Sequence, residues 1–210
     1  MNEDNVLDNF NKEWKEFKGY TKLGDCTQRS IVDTVKEVLN EINLSSDARI
    51  VDMGCGVCKM LHAFREWGYA NSVGIDFSQE SIKRCEEKGF KKNKDIFLMD
   101  ATNTNYKERH FTLVFEEGVL EHYKDRTYSP FIKEMVRMSD KYILIAQPDH
   151  FSIYGIITQL FYKFTKSGVK EYTYRINDFI DALEAERFRV KCIKKTTLND
   201  WQIILFERGE

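Results

Sequence analysis

Apolar residues in the first 45 positions recur at helical steps: Trp14 and Phe17, then Ile31, Val35, Val38, Leu39 and Ile42. That spacing lays them along one face of a helix, so the segment reads as two helices separated by Gly19 and Gly24. From Arg49 the pattern changes to short apolar runs, Ile50–Met53, Ser72–Ile75, Ile96–Met99, Phe111–Phe115 and Tyr142–Ala146, alternating with amphipathic stretches. Runs of this length without polar alternation are strands buried on both faces, and strands that alternate with helices build a parallel sheet. One helix is expected around Met60–Trp67; another, carrying Ile82 and Cys85, starts at a Ser78 cap and stops at Gly89. A helix near Asn177–Glu186 and two β-like runs, Phe188–Ile193 and Trp201–Phe206, close the pattern. The last pair reads as a hairpin that puts an antiparallel strand into the sheet. The expected architecture is α/β, a doubly wound and mostly parallel sheet of seven strands, with ligands at the carboxyl ends of the strands.

Composition narrows this picture. With 210 residues and 42% hydrophobic content the chain can fill one core, and no Gly/Ser-rich linker or repeat divides it, so residues 1–210 are expected to form a single domain with a helical cap over 1–45. Lys+Arg 32 against Asp+Glu 34 gives a net charge of −2, which disfavours a nucleic acid or an anionic membrane as partner. The five cysteines show no framework spacing and the start MNEDNVLDNF is acidic, so the expectation is a reduced, cytoplasmic protein. The most apolar stretch, Phe151 to Phe164, is broken by Gly155, Thr158, Gln159 and Lys163, so no membrane span is expected. This stretch belongs to an aromatic insertion, 149–170, bearing Phe151, Tyr154, Phe161, Tyr162 and Phe164. It reads either as a lid over an apolar acceptor or as a surface helix that packs its aromatics into the core. Trp14 and Tyr20 read first as structural aromatics, with closing the same pocket from the amino-terminal side as the alternative.

Candidate chemistry gathers at the ends of the first strands. Val51-Asp52-Met53-Gly54-Cys55-Gly56 is an apolar strand running into a glycine turn that opens a helix. Glycines there let the backbone approach a ligand, and the helix start offers free N–H groups. Asp76 ends the next strand, at roughly the 20-residue offset from which an acid reaches ribose hydroxyls beside a glycine loop. Leu98-Met99-Asp100-Ala101 repeats the strand-then-acid pattern. Three carboxylates on one sheet edge suit a cationic ligand and disfavour a polyphosphate. A pyrophosphate fingerprint also fails, because Lys59 stands where its third glycine belongs.

These motifs, in this order, resemble class I S-adenosylmethionine-dependent methyltransferases, in particular their small-molecule branch. The resemblance runs from about Arg49 to Gln147 and includes Gly118-Val119-Leu120-Glu121-His122 after the fourth strand. It implies a Rossmann-like fold, S-adenosylmethionine as cofactor and a small-molecule acceptor of unstated identity, methylated on O, N or C. It also implies that Asp52, Gly54, Cys55 and Gly56 hold the methionine portion, Asp76 the ribose with Phe77 beside it, and Asp100 and Ala101 the adenine. Glu117, Gly118 and Val119 would lie beneath the sulfonium, and His122 would orient or deprotonate the acceptor, or simply cap the next helix. Where the family usually has a third loop glycine this chain has Cys58.

Two other functions are open at this level. Cys55-Gly56-Val57-Cys58 is a C-x-x-C at a helix start, where a thioredoxin-like dithiol would sit, although no proline precedes Pro130 to serve as that fold's cis-proline. A binding module that holds the cofactor for a partner subunit without catalysis is the other. A metal site is not expected, since Cys26, Cys85 and Cys192 are isolated in sequence.

Overall fold

A computed structural model describes residues 3–19, 22–157 and 171–209. Helix α1 (Glu3–Glu16) and α2 (Lys22–Glu41) precede β1 (Ile50–Met53), α3 (Lys59–Glu66), β2 (Ser72–Asp76), α4 (Gln79–Glu87) and β3 (Ile96–Leu98). Then come β4 (Phe111–Glu117), two short 3₁₀ turns (Leu120–His122 and Lys124–Arg126), α5 (Ser129–Met138), β5 (Ser139–Pro148), α6 (Ile176–Ala185), β6 (Phe188–Lys195) and β7 (Trp201–Arg208). The strands form one sheet in the order β3-β2-β1-β4-β5-β7-β6. The first five are parallel, and β7 runs antiparallel between β5 and β6.

Strand periodicity divides the core into two layers. Val51 and Met53 of β1 join Val114, Ile143 and Ile145 on one face, covered by Phe131 and Met135 of α5 and by Phe179 and Leu183 of α6. Ile50 joins Leu113, Phe115 and Leu144 on the other face, under Ile31 and Val35 of α2 and Met60 and Phe64 of α3. A strand covered on both sides can afford no polar alternation, which is why the central runs are continuously apolar. A third, smaller cluster under α3 and α4 contains Cys55, Cys58, Leu61, Ile82, Cys85 and Ile96.

The helix that follows β2 forms as its sequence predicts. Ser78 caps it by accepting from the Ser81 N–H, and beyond Lys88 the chain turns at Gly89, whose φ is +92°. Other expectations need correction. Gly24 lies inside α2, so Gly19 alone of the two glycines stands in the break between the helices. The run Ile96–Met99 is not buried on both faces: β3 is a three-residue edge strand with Leu98 exposed. The expected lid 149–170 lies, from residue 158, outside the described residues; Phe151 and Tyr154 are exposed.

Candidate functional site

The strand order reverses between β1 and β4, and in an open α/β sheet the crevice at such a reversal is where ligands bind. The turn after β1 is drawn against this crevice by the Gly54 and Cys55 N–H groups, which both donate to the Ile75 carbonyl of β2, at 2.8 and 3.0 Å. Gly54 and Gly56 have φ of +79° and +50°, the left-handed region that side chains resist. Space is short as well: a Cβ on Gly54 would stand 2.6 Å from Val119 Cγ2, and one on Gly56 2.9 Å from the Trp14 ring. The turn is therefore pressed between the end of β4 and α1.

Asp76 organises this turn. Its Oδ2 accepts from the Gly56 N–H at 2.9 Å and its Oδ1 from the Ser78 N–H at 2.8 Å. It is buried, which raises its pKa, and these backbone donors oppose the rise. Asp52, also buried, is pushed well above the ordinary carboxylate range by burial and then by the charges of Glu117 and Asp76. Glu117, at the end of β4, is raised by burial and held down by Gln28 of α2 and Lys59 of α3. Asp100 is different: it is exposed, and its Oδ1 accepts from the Thr102 N–H and hydroxyl, both at 2.8 Å, closing its own turn. Ala101 is half-buried next to it.

Beyond β4 the backbone turns at Gly118, φ +66°, and passes through Val119 into the 3₁₀ turn that carries His122. Phe10 of α1 stands edge-on to both the Phe77 and His122 rings, with centroids 5.3 and 5.1 Å apart. The residues expected to serve the two halves of a site thus meet under one helix. Asn11 accepts from the Ser78 hydroxyl at 2.7 Å, and Trp14 covers Gly56, so α1 lies across the cleft. Tyr20 falls outside the described residues.

The end of β4, the run after it and the segment before α6 also contribute acids that the motif reading passed over. Glu116 is fully buried, and the Gln147 Nε2 donates to both of its oxygens at 2.9 Å. Glu121 is buried, its Oε2 has no hydrogen-bond partner among the described residues, and burial raises its pKa to about 8. Glu171 is raised to about 7 by burial and by Glu121. The signal was in the sequence, as the repeated acids of Glu116-Glu117-Gly118-Val119-Leu120-Glu121, but nothing local says that Glu116 and Glu121 are buried.

The cysteines correct the expectation of reduced and isolated thiols. Cys58 and Cys85 are joined in a disulfide, and the sulfurs of Cys55, Cys58 and Cys85 all lie within 4.8 Å of one another. The fold brings them together because α4 packs its inner face, Ile82 and Cys85, against the start of α3. Cys58 is bonded across 27 residues and not to Cys55, so the C-x-x-C is not closed as the dithiol pair the redox reading requires.

The chain thus combines a seven-stranded sheet with one reversed strand, a glycine turn after β1 and acids ending β1 and β2. Residues 51–141 match the family model described as a methyltransferase domain. The chain superposes on magnesium protoporphyrin IX methyltransferase from Synechocystis PCC 6803, solved with SAH bound, with a TM-score of 0.77 at 17% identity over 99% of this chain and 100% of that one. The same protein with SAM bound gives 0.74 at 18% identity, covering 98% and 96%. Phosphoethanolamine N-methyltransferase 1 of Arabidopsis thaliana is 25% identical over 97 residues, 45% of this chain and 20% of that protein. The chain thus spans about a fifth of that curated relative's length. No helix among the described residues is long and apolar enough to cross a membrane.

Proposed function

We propose that the chain transfers the methyl group of S-adenosylmethionine to a small-molecule acceptor that carries an N–H or O–H group. The observation that carries the reading is the glycine turn at the sheet's reversal, held by Asp76 and set beside Asp52, on which the charges of Glu117 and Asp76 act. The donor set fits the cofactor: two positions where a Cβ has no room allow close backbone approach, and carboxylates complement a cationic sulfonium and ammonium. When bound, the cofactor supplies an already activated methyl group.

The chain's own residues do the rest. Asp52, Gly54, Cys55 and Gly56 seat the methionine portion; Asp76 uses the lone pairs left by Gly56 and Ser78 for the ribose, with Phe77 alongside. Asp100 and Ala101 flank the adenine, and Glu117, Gly118 and Val119 form the floor under the reacting centre. His122, beside Phe10, aligns the acceptor and takes its proton. Buried Glu121 and exposed Glu171, both raised in pKa, favour an acceptor that donates hydrogen bonds. The N-methyltransferase among the relatives agrees with an amine acceptor. Residues 1–210 act as one domain, with α1 and α2 as its cap and 149–170 as the acceptor-side lid.

Calorimetric titration with S-adenosylmethionine tests the cofactor seat: wild type binds, and Gly56→Ala, which drives a Cβ into Trp14, binds at least tenfold more weakly. Equal affinity in a folded Gly56→Ala protein would refute the seat. Methyl transfer from labelled cofactor to panels of amines and hydroxyl compounds then identifies the acceptor; transfer to none, or to nucleic acid only, would refute the small-molecule reading.

A further inference from the structure

We propose that the Cys58–Cys85 disulfide is a reversible oxidation site, opened by small anionic thiols, whose state sets the affinity of the glycine turn for S-adenosylmethionine. The inference rests on the reading of that turn as the cofactor seat, and four observations lead to it.

The first is the backbone of Cys58. Its φ of 58° and ψ of 34° place a side-chain-bearing residue in the left-handed region, at the position that opens α3. Such a residue persists only where its surroundings hold it. The disulfide is the strongest such hold, tying the opening of α3 to the middle of α4.

The second is what else the same junction fixes. The Gly56 carbonyl accepts from the Ser81 hydroxyl, also on α4, and the Gly56 N–H is held by Asp76. Lys88 Nζ donates to the Val57 carbonyl at 2.6 Å. The segment 56–58 is therefore sandwiched between β2 and α4, and the disulfide is its covalent member.

The third is access. Cys58 and Cys85 are buried, but Cys58 also lines a pocket of about 380 Å³ together with Lys59, His62 and Lys88. A folded protein cannot enter a space of that size, whereas a small thiol can reach its wall and meets the Cys58 sulfur, which has no exposed surface in the closed turn, when the first turn of α3 opens. Two lysines at its wall attract an anion and favour the thiolate, which is the attacking form.

The fourth is the third sulfur. Cys55 Sγ lies 3.8 Å from Cys58 Sγ, while burial, Asp76 and Asp52 hold its pKa up. It stays a thiol and does not itself displace Cys85 from Cys58.

The step balances with a thiol as reductant. A thiolate RS⁻ attacks Cys58 Sγ, the Cys58–Cys85 bond breaks, and Cys85 leaves as thiolate and takes up a proton. A second RS⁻ attacks the external sulfur of the mixed disulfide and releases Cys58, again protonated, with RS–SR as product. Two thiols are oxidised and one protein disulfide is reduced. Without the crosslink Cys58 relaxes from the left-handed region, and the first turn of α3 and the segment 56–58 loosen together.

The test uses the whole chain. Alkylation and mass spectrometry of the air-oxidised protein should count three free thiols, Cys26, Cys55 and Cys192, and five after treatment with a phosphine reductant. Calorimetry should find S-adenosylmethionine bound roughly five- to tenfold more weakly by the reduced protein, with recovery on reoxidation by diamide. Cys85→Ser should bind weakly under both conditions. Cys58→Gly, which restores a residue suited to the left-handed turn, should bind equally well in both, and Cys192→Ser should keep the full response. Five alkylatable thiols in the oxidised protein, or equal affinity of the two wild-type states, would overturn the proposal. Absence of binding in both states would instead remove the cofactor seat itself, and the switch with it.

Discussion

At the scale of single residues, the buried acids of the site make its stability depend on pH with a definite sign. Glu121 has a pKa near 8 in the folded protein against an ordinary value of 4.5, so the folded state binds more protons between those limits. Its contribution is present below about pH 4.5 and is lost as pH rises toward 8. Glu171, near 7, acts in the same direction. The apoprotein should therefore melt at a higher temperature at pH 5.5 than at pH 8.5, and Glu121→Gln, which keeps the shape without the ionisation, should shrink the difference. An Glu121→Gln difference as large as wild type's would place the effect elsewhere.

Asp76→Asn is a second test at this scale. The variant retains one oxygen acceptor but turns the other into a donor facing a backbone N–H, either that of Gly56 or that of Ser78. Leaving such a group unsatisfied costs about 1–3 kcal/mol. Denaturant unfolding should show that loss alongside weakened cofactor binding; weakened binding at full stability would mean that the carboxylate serves the ligand alone. The strand-end position of Asp76 was legible from the alternation of strand and acid. Its double backbone engagement was not, because the donors lie on the far side of a turn whose shape only the folded chain defines.

At the scale of elements, most of the fold was legible. Five apolar runs became β1 to β5 in the predicted sequence order, and the two final runs became the antiparallel pair. The failures have physical causes. Ile96–Met99 has the composition of a buried strand, yet it lies at the sheet edge, where one flank has no partner to cover it. Gly24 was read as a helix breaker, yet one glycine costs only about 1 kcal/mol, and the apolar face of α2 against the sheet outweighs that. The cysteine cluster could not be foreseen, since a separation of 27 residues carries no sign that α3 and α4 meet at those points.

The contact between the turn after β1 and the segment after β4 gives a prediction about paired elements. Gly54→Ala should destabilise by about 1–3 kcal/mol through its clash with Val119 and its positive φ. Val119→Ala removes the clash but not the φ cost, so the double variant should recover part of the loss. A double-mutant cycle in denaturant measures this directly, and strict additivity would show that the backbone conformation alone is responsible.

At the scale of the whole molecule, α1 is a lateral addition to a fold whose sheet is complete without it. It rests across the cleft through Phe10, Asn11 and Trp14, while Arg84 of α4 donates to its Lys15 carbonyl at 3.0 Å. That placement has a kinetic consequence. A ligand seated beneath the helix can enter or leave only in the intervals when the helix has lifted, so association and dissociation are slowed together while the equilibrium constant changes less. Turnover would then be paced by escape of the demethylated cofactor, and a pre-steady-state burst of one methyl group per chain should precede the slower steady rate. Phe10→Ala, which cuts the contacts to Phe77 and His122, should shorten the residence time of the spent cofactor in stopped-flow displacement and diminish the burst. An unaltered dissociation rate would mean that the helix merely rests beside the exit, and that the clock of the enzyme lies in its chemistry.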